Sequence, residues 1–279
     1  MAYVDHISGF PMRKTLSCLI ILPLLSGCSA LYGNGGNFAK YYQGRSIAEV
    51  KANENYIPCS YQELTVNTLD EQQFRDIANL RLNAYRQGYV IVGESHGEGT
   101  STAFTKNDVT GLALQLSVCL AYWGNSGFSY AENQTRTYYE QVVDGIYYDN
   151  NGQAQYAMRN EERYQQVRVD YYNFHSYYFA RLNPDKTFGA WYQEISPEQK
   201  KTLGLNYGVL IRAIASGSQA ETEYNLREND ILLEYNGQQC TIDNSPDFCG
   251  VNVPVHTARV YRNGQIINVD VRARPVKSK

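Results

Sequence analysis

The alternation of apolar and polar positions is most regular between Gly208 and Gly237. The segment opens with the apolar run Gly-Val-Leu-Ile-Arg-Ala-Ile, which is typical of a strand. A turn of small residues follows, and Ser218 is placed to cap a short helix because its hydroxyl can accept an orphan backbone amide. A second apolar run covers residues 231–235, and the Asn236-Gly237 pair after it predicts a tight turn. The segment therefore predicts a strand, a short helix, a strand and a turn.

The complete pattern, GVLIxxIxxGSxAExxxLxxxDILLxxNG, resembles the centre of a PDZ domain, specifically the permuted bacterial type carried by HtrA-type proteases. This resemblance implies a PDZ-like, partly open β-barrel with short helices over residues 183–279. Residues 188–192 are its expected first strand. Ser196 and Pro197 begin a helix, with proline at the first helical position. Two further strands around Arg262-Asn263-Gly264 are expected to close the domain.

Upstream of residue 183 the pattern predicts a small α/β domain, residues 46–182, so the whole chain is expected to be α+β. The Thr68-x-x-Glu71 capping pattern begins a helix that ends near Gln87. A buried strand, a second amphipathic helix and another strand are predicted next, at 89–92, 106–119 and 120–123, which together make a βαβ unit. Residues 124–182 are rich in tyrosine and predict a hairpin or irregular extended segments, since tyrosine suits half-buried sheet faces.

The N-terminal residues predict a secretory signal and a lipid anchor. Met12-Arg-Lys14 is a positive region, and the short apolar run after it leads to Leu25-Ser-Gly-Cys28. This ending resembles the bacterial lipobox, which implies removal of residues 1–27 and acylation of Cys28. Ser29 follows instead of the aspartate that retains lipoproteins in the inner membrane. The resemblance therefore implies an outer-membrane lipoprotein, anchored by lipid and facing the periplasm, with residues 28–45 as a flexible tether.

Charge and cysteine content narrow the classes of function. The net charge is −3, which predicts no basic face for nucleic acid. Cys59, Cys119, Cys240 and Cys249 remain after removal of the signal and lipidation of Cys28, and an oxidising envelope favours disulfides. Three connectivities are open, and the economical one pairs Cys240 with Cys249 and Cys59 with Cys119. We expect no metal and no cofactor, because no Cys-x-x-Cys spacing occurs and His96, His175 and His256 are scattered.

The first candidate for function is the groove implied by the PDZ resemblance. PDZ domains capture an extended peptide as an added strand on a sheet edge. The family's carboxylate loop corresponds here to Phe188-Gly189-Ala190, and Trp191 and Tyr192 would lie on the docking strand. Gly189 permits a close backbone approach. The family's groove also has a helical wall after the Asn-Gly turn, but residues 238–254 are short and polar here, so that wall is expected to be missing or rebuilt.

Two serine motifs offer an enzymatic alternative. Ser95 lies in Gly-Glu-Ser-His-Gly, which matches the nucleophile elbow of α/β-hydrolases, although a polar loop follows it instead of an immediate helix. Asn125-Ser126-Gly127 echoes the serine motif of HtrA-type proteases, but the two-barrel domain that carries it there has no counterpart here. The Gly-Tyr-Val-Ile-Val-Gly-Glu-Ser run, the tyrosine-rich stretch and the C-terminal module together resemble bacterial PDZ-domain-containing lipoproteins of uncharacterised function, over about residues 70–272.

The sequence thus favours a non-catalytic envelope lipoprotein that binds a protein partner or peptide through its C-terminal module. The alternatives are a serine hydrolase that uses Ser95, and a structural envelope protein that associates with itself.

Overall fold

The computed structural model describes residues 36–242 and 257–270. They form an α+β structure with two separate six-stranded sheets, which confirms the predicted mixture of helix and sheet. We call residues 36–182 the first lobe and the described residues from 183 onward the second lobe. Within the described ranges, no helix is long and apolar enough to cross a membrane.

The first lobe contains five helices and six strands. In chain order they are α1 (Gly36–Lys40), β1 (Tyr42–Gly44), α2 (Ile47–Ala52), β2 (Tyr56–Ile57), β3 (Thr65–Thr68), α3 (Glu71–Arg75), α4 (Ile77–Arg86), β4 (Tyr89–Gly99), α5 (Lys106–Leu116), β5 (Leu120–Tyr148) and β6 (Ala154–Leu182). The strand order is β1-β4-β6-β5-β3, and β2 pairs with β6.

The predicted βαβ unit is present as β4, α5 and β5. Both strands pair antiparallel with β6, so they run parallel to each other with β6 inserted between them. The helix α5 packs its buried residues against this sheet, and its start carries a capping box in which the Thr105 hydroxyl accepts from the Asp108 amide. One apolar cluster, centred on Phe38, Leu116 and Tyr178, fills the space under α5. A second cluster lies where α3 and α4 cover the opposite face.

The interpretation of residues 28–45 as a flexible tether is wrong for residues 36–45. Phe38 in α1 is fully buried, and its ring lies 4.7 Å from that of Phe104 between centroids. Tyr42–Gly44 joins the sheet antiparallel to β4. The free energy gained by burying the Phe38 ring in the core exceeds the cost of ordering this glycine-rich segment. Residues 28–35, including Cys28, lie outside the described residues.

The helix predicted from Thr68 to Gln87 is two helices, and its N-cap is wrong by two residues. Asp70 is the N-cap, because its carboxylate accepts from the Gln73 amide while the Gln73 side chain accepts from the Asp70 amide. The chain then leaves helical geometry at Asp76, with φ −110° and ψ 30°, before α4 begins. The break lets α3 and α4 follow different directions over the sheet.

The tyrosine-rich stretch forms one continuous hairpin. The strands β5 and β6 pair antiparallel from Leu120 opposite Phe179 to Tyr148 opposite Ala154. Only the first part of this hairpin lies within the sheet, since β4 stops pairing with β6 at Tyr172. Beyond that point residues 130–148 and 154–171 continue as a two-stranded ribbon roughly 60 Å long at 3.3 Å per residue. We call this extension the ribbon.

The second lobe is an antiparallel sheet with two short helices. Its elements are β7 (Ala190–Glu194), α6 (Pro197–Leu203), β8 (Val209–Ile214), α7 (Gln219–Thr222), β9 (Ile231–Tyr235), β10 (Gln238–Gln239), β11 (Thr257–Arg262) and β12 (Gln265–Asp270). The order is β12-β11-β9-β8-β7, with β10 paired to β9. The Asn236-Gly237 turn has positive φ at both residues, as the sequence predicts. The short helix begins after Ser218, but the Ser218 hydroxyl does not cap it.

The two lobes are in direct contact. The end of α4 packs against β8 and β7 through a small apolar cluster that contains Tyr85, Trp191, Ala213 and Ala215. Beside it the Arg86 guanidinium forms a bidentate ion pair with Glu228, at 2.6 Å and 2.9 Å. The Ser216 amide also donates to the Arg86 carbonyl at 3.0 Å. An apolar cluster, an ion pair and a backbone hydrogen bond therefore hold the second lobe against the first.

Candidate functional site

The predicted carboxylate loop is a tight turn that only glycine fits. Gly189 has φ +79°, and a Cβ at this position would lie 2.2 Å from the Ser218 Cβ. Its carbonyl oxygen accepts from the Ala215 amide at 2.9 Å and from the Ser218 hydroxyl at 3.4 Å. The Ser218 hydroxyl is therefore used to hold the loop, which explains why it does not cap α7.

The residue before this glycine fastens the loop to the short helix. The Phe188 carbonyl accepts from the Ala220 amide at 2.8 Å. The Phe188 ring lies 5.3 Å from the Tyr224 ring between centroids, in the buried cluster of the second lobe. The Phe188 carbonyl and the Phe188 ring therefore both fix the position of the loop.

The strand β7 that follows the loop is the last strand of the order in the described sheet. Its two faces serve different purposes. Ala190 and Tyr192 point into the buried cluster of the second lobe. Trp191 points the other way, into the contact with the first lobe, while Gln193 and Glu194 are exposed. The five predicted binding residues are therefore brought together, but the Trp191 ring is committed to the contact between lobes.

The segment expected to replace the groove wall is described only up to Ile242. Among the described residues Cys240 has no disulfide partner; its side chain is fully buried, and burial raises the pKa of the thiol to about 12. The sequence predicts a bond from Cys240 to Cys249, but Cys249 lies outside the described residues, so that pairing stays a prediction. The other predicted pair, Cys59–Cys119, is a disulfide and confirms the expectation for the first lobe.

The Ser95 motif does not have the geometry of a nucleophile elbow. The strand predicted to stop at Val92 continues to Gly99, so Ser95 lies in the middle of β4 with neighbours on both sides. It pairs with Tyr42 of β1 and Ser176 of β6, and the residue is fully buried. Its hydroxyl faces the apolar cluster under α5, away from solvent.

The opposite face of the same strands holds a polar cluster that the sequence did not predict. The Nδ1 atoms of His96 and His175 lie 2.5 Å apart. The Nε2 atom of His175 lies 2.8 Å from the Ser126 hydroxyl, and the Nε2 atom of His96 lies 3.3 Å from a Glu94 carboxylate oxygen. Glu94 in turn binds Arg81, whose guanidinium stacks over the Tyr177 ring.

This cluster has one proton arrangement that satisfies every contact with both rings neutral. His96 carries its proton on Nε2, towards Glu94, and accepts at Nδ1. His175 carries its proton on Nδ1, towards His96, and accepts the Ser126 O–H at Nε2. Burial and the adjacent His96 lower the pKa of His175, which favours the neutral ring. In this arrangement all the hydrogen bonds run in one direction across three strands. Ser126 donates to His175, which donates to His96, and His96 donates to Glu94.

Register explains why sequence reasoning missed this cluster. The two histidines are directly opposite each other in β4 and β6, although 79 residues separate them in the chain. Ser126 belongs to the Asn125-Ser126-Gly127 motif, which lies at a register shift between Asn125 and Phe128. A bulge of this kind turns a side chain away from the regular pleat. The pairing could have been inferred only from a known strand register.

The expectation that the histidines are scattered is therefore wrong for His96 and His175, which contact each other. His256 lies outside the described residues. In the part of the chain that the structure describes, no group of three His, Cys, Asp or Glu side chains is arranged to hold a metal ion.

Comparison with known proteins adds no assignment, since no family model matches the chain and no curated protein matches it.

Proposed function

We propose that this chain is a non-catalytic envelope lipoprotein whose second lobe is a PDZ-like domain that binds an extended protein segment at β7. The observation that carries the proposal is the loop directly before β7, where Gly189 has a positive φ and its carbonyl accepts from the Ala215 amide and the Ser218 hydroxyl. Strand addition at a sheet edge takes most of its affinity from backbone hydrogen bonds, so few specific side chains are needed.

The order of elements in the second lobe supports the same proposal. A loop, the strand β7, the short helix α6, the strand β8, the short helix α7, the strand β9 and a tight Asn-Gly turn follow one another, in agreement with what the resemblance implies. The buried Asp230 adds rigidity, since it binds the Arg262 guanidinium through both carboxylate oxygens. A rigid edge lowers the entropy lost when a peptide binds.

The membrane anchor is part of the proposal and rests on the sequence around Cys28. Several acyl chains on one cysteine give stable anchoring, whereas a single chain gives marginal binding. We place the anchor in the outer membrane, with the two lobes facing the periplasm.

The test is site-specific photo-cross-linking in cells that produce the full chain. The photoreactive residue p-benzoylphenylalanine replaces Gln193, which is exposed on β7. Gln265 is the matched control, because it is an exposed glutamine on β12, the strand at the other end of the same sheet. We expect a discrete cross-linked protein from position 193 and none from position 265.

Two results would overturn the proposal. One is the absence of any cross-link at position 193 in a variant that is produced and folded. The other is an identical set of cross-links from both positions. Gly189→Trp is not a useful probe, because even a Cβ at Gly189 collides with Ser218 and a loss of binding would report misfolding.

A further inference from the structure

The contacts around His96 and His175 form a chain whose two ends differ in chemistry. At one end the Nε2 atom of His96 faces the Glu94 carboxylate, and at the other the Nε2 atom of His175 faces the Ser126 hydroxyl. The two Nδ1 atoms lie 2.5 Å apart between these ends. An ionised carboxylate can only accept a hydrogen bond, whereas a hydroxyl can donate or accept. The Ser126 end can therefore reverse its role, and the Glu94 end cannot.

The surroundings favour a positive charge on His96 over one on His175. One oxygen of Glu94 lies 3.3 Å from His96, while the other binds Arg81 of α4. His175 instead faces the Phe74 ring of α3, with the ring centroids 5.3 Å apart. Burial and the neighbouring His96 lower the pKa of His175. A proton taken up by the two rings is therefore better placed on His96, where a carboxylate is in contact.

The other titratable side chains around the two rings are either neutral or paired. Tyr177 of β6 lies beside His96, and burial raises the pKa of its hydroxyl. Carboxylates at the border of the group have partners of their own: Glu98 of β4 accepts from Ser129, and Glu71 of α3, beside Gly127, binds Arg75. The contact between Glu94 and His96 is thus the one that holds a charge at this end of the chain of contacts.

We propose that His96 and His175 form a one-proton switch, in which a single proton taken up at low pH reverses the hydrogen bonds between His96 and Ser126. The proton comes from solvent and binds Nε2 of His175, while the Nδ1 proton of His175 crosses to Nδ1 of His96. His96 then carries the positive charge beside Glu94. His175 is neutral again, with its proton on Nε2. The Ser126 oxygen now accepts from His175, and its own proton turns away from the ring.

A second proton is disfavoured as long as the rings stay in contact. It would place an N–H group on both Nδ1 atoms, which lie 2.5 Å apart and would then have no acceptor between them. It would also put a positive charge on each of two rings whose centroids are 4.7 Å apart. Like charges at this separation disfavour the doubly charged form. The two rings therefore titrate as one unit, and the first pH midpoint belongs to the pair.

The reversal has a consequence at the base of the ribbon. Ser126 is partly exposed and lies in the register shift between Asn125 and Phe128, just before the ribbon begins. When the pair is neutral, the Ser126 proton is used by His175. When the pair is protonated, the same proton is available to an acceptor outside the sheet. The base of the ribbon thus offers a hydrogen-bond donor that depends on the charge of the histidine pair.

The experiment is a titration of the full chain from pH 8 to pH 5, followed by NMR with 15N-labelled histidine. The nitrogen shifts of each ring report which of its two nitrogens carries a proton, and His96→Gln and His175→Gln assign the signals. The test variant is Glu94→Gln. Glu98→Gln is the matched control, because Glu98 lies two residues further along the same strand and binds Ser129 instead. Circular dichroism checks that each variant keeps its strand content.

Above the midpoint we expect a proton on Nε2 of His96 and on Nδ1 of His175. Below it, both nitrogens of His96 should be protonated, and the proton of His175 should have moved to Nε2. Glu94→Gln should lower the midpoint by about one pH unit, because an opposite charge in contact favours the charged ring. Glu98→Gln should leave the midpoint unchanged.

The proposal is overturned if His175 keeps its proton on Nδ1 throughout the titration, or if both rings become doubly protonated in one step. Equal midpoints for Glu94→Gln and Glu98→Gln would also overturn it, since the charge would then not rest beside Glu94. These outcomes do not depend on cross-linking at Gln193, so this inference and the proposed function fail separately.

Discussion

Trp191 and Tyr85 meet edge to face across the two lobes, with ring centroids 5.2 Å apart and an interplanar angle of 84°. Trp191 belongs to the strand that we propose for peptide binding, and Tyr85 lies on the last turn of α4. One side chain of the strand proposed for binding is therefore committed to the contact with the first lobe. If the proposal holds, binding at β7 and the packing of the lobes are linked by one element.

The first prediction concerns this contact. Trp191→Ala should destabilise the second lobe by about 2 kcal/mol, less than a fully buried tryptophan would, because the ring is only partly buried. It should also speed limited proteolysis between residues 183 and 189. Thermal unfolding and digestion of the full chain measure both effects. Ile266→Ala, at an exposed position of β12, is the control and should change neither. An unchanged digestion rate for Trp191→Ala would contradict a role in holding the lobes together.

Local sequence signals predicted most of the second lobe because each of them acts within a few residues. The Asn236-Gly237 turn, the Ser196 cap with Pro197, and the Ile231–Tyr235 strand all occur where the sequence places them. Ser218 is the exception, since a distant carbonyl at Gly189 competes with the helix for its hydroxyl. A side chain with two partners within reach cannot be assigned from local sequence alone.

The first lobe was harder to predict because its important contacts are long-range. Phe38 reaches the core from a glycine-rich segment, and nothing in its neighbours signals that burial. The length of the hairpin was missed because its outer half has polar residues on both faces and lacks a period of two. The His96–His175 contact depends on strand register, which the sequence alone does not specify.

The second prediction concerns pH. The pKa of His175 is lowered in the folded chain by burial and by His96, with Glu94 acting in the opposite direction. Below its ordinary value of about 6.5 the unfolded chain therefore binds more protons than the folded chain. The stability that the neutral ring contributes is present above that pH and is lost as the pH falls from 6.5 towards the lowered pKa.

His175→Gln tests this directly, since the amide keeps a polar contact for Ser126 but does not titrate. The wild type should lose more stability than the variant between pH 7 and pH 5, as measured by urea unfolding across that range. At pH 8 the difference between them should not depend further on pH. Parallel stability curves for the two proteins would show that folding does not change the pKa of His175.

The third prediction concerns the disulfide between Cys59 and Cys119. It joins the loop after β2 to the start of β5 across 60 residues of chain. Closing a loop of this length restricts the unfolded chain, so Cys59→Ala with Cys119→Ala should lower the free energy of unfolding by about 4 kcal/mol at most. Urea unfolding measures the loss. A reducing agent should lower the stability of the wild type by more than it lowers that of the variant, which keeps only the pair predicted between Cys240 and Cys249. Equal free energies of unfolding for the wild type and the variant without reductant would show that this disulfide does not stabilise the fold.

The fourth prediction concerns the anchor. Cys28→Ala should release the chain from the membrane fraction, because the thiol that carries the diacylglycerol is lost. Incorporation of labelled palmitate should fall to background in the same variant. Cys18→Ala is the matched control, since that cysteine lies in the signal expected to be removed. If Cys28→Ala still incorporated labelled palmitate, the lipid would be attached to a residue other than Cys28.

The last prediction addresses the serines. A non-catalytic chain should not react with a fluorophosphonate probe. Ser95 is fully buried within β4, so the probe cannot reach its hydroxyl. Ser126 is partly exposed and bound to His175, but burial lowers the pKa of that ring and makes it a weaker base for removing the serine proton. Labelling that disappears in Ser126→Ala would show instead that the chain of contacts from Glu94 to Ser126 activates a nucleophile. Labelling that disappears only in Ser95→Ala would require β4 to open and would favour the hydrolase alternative.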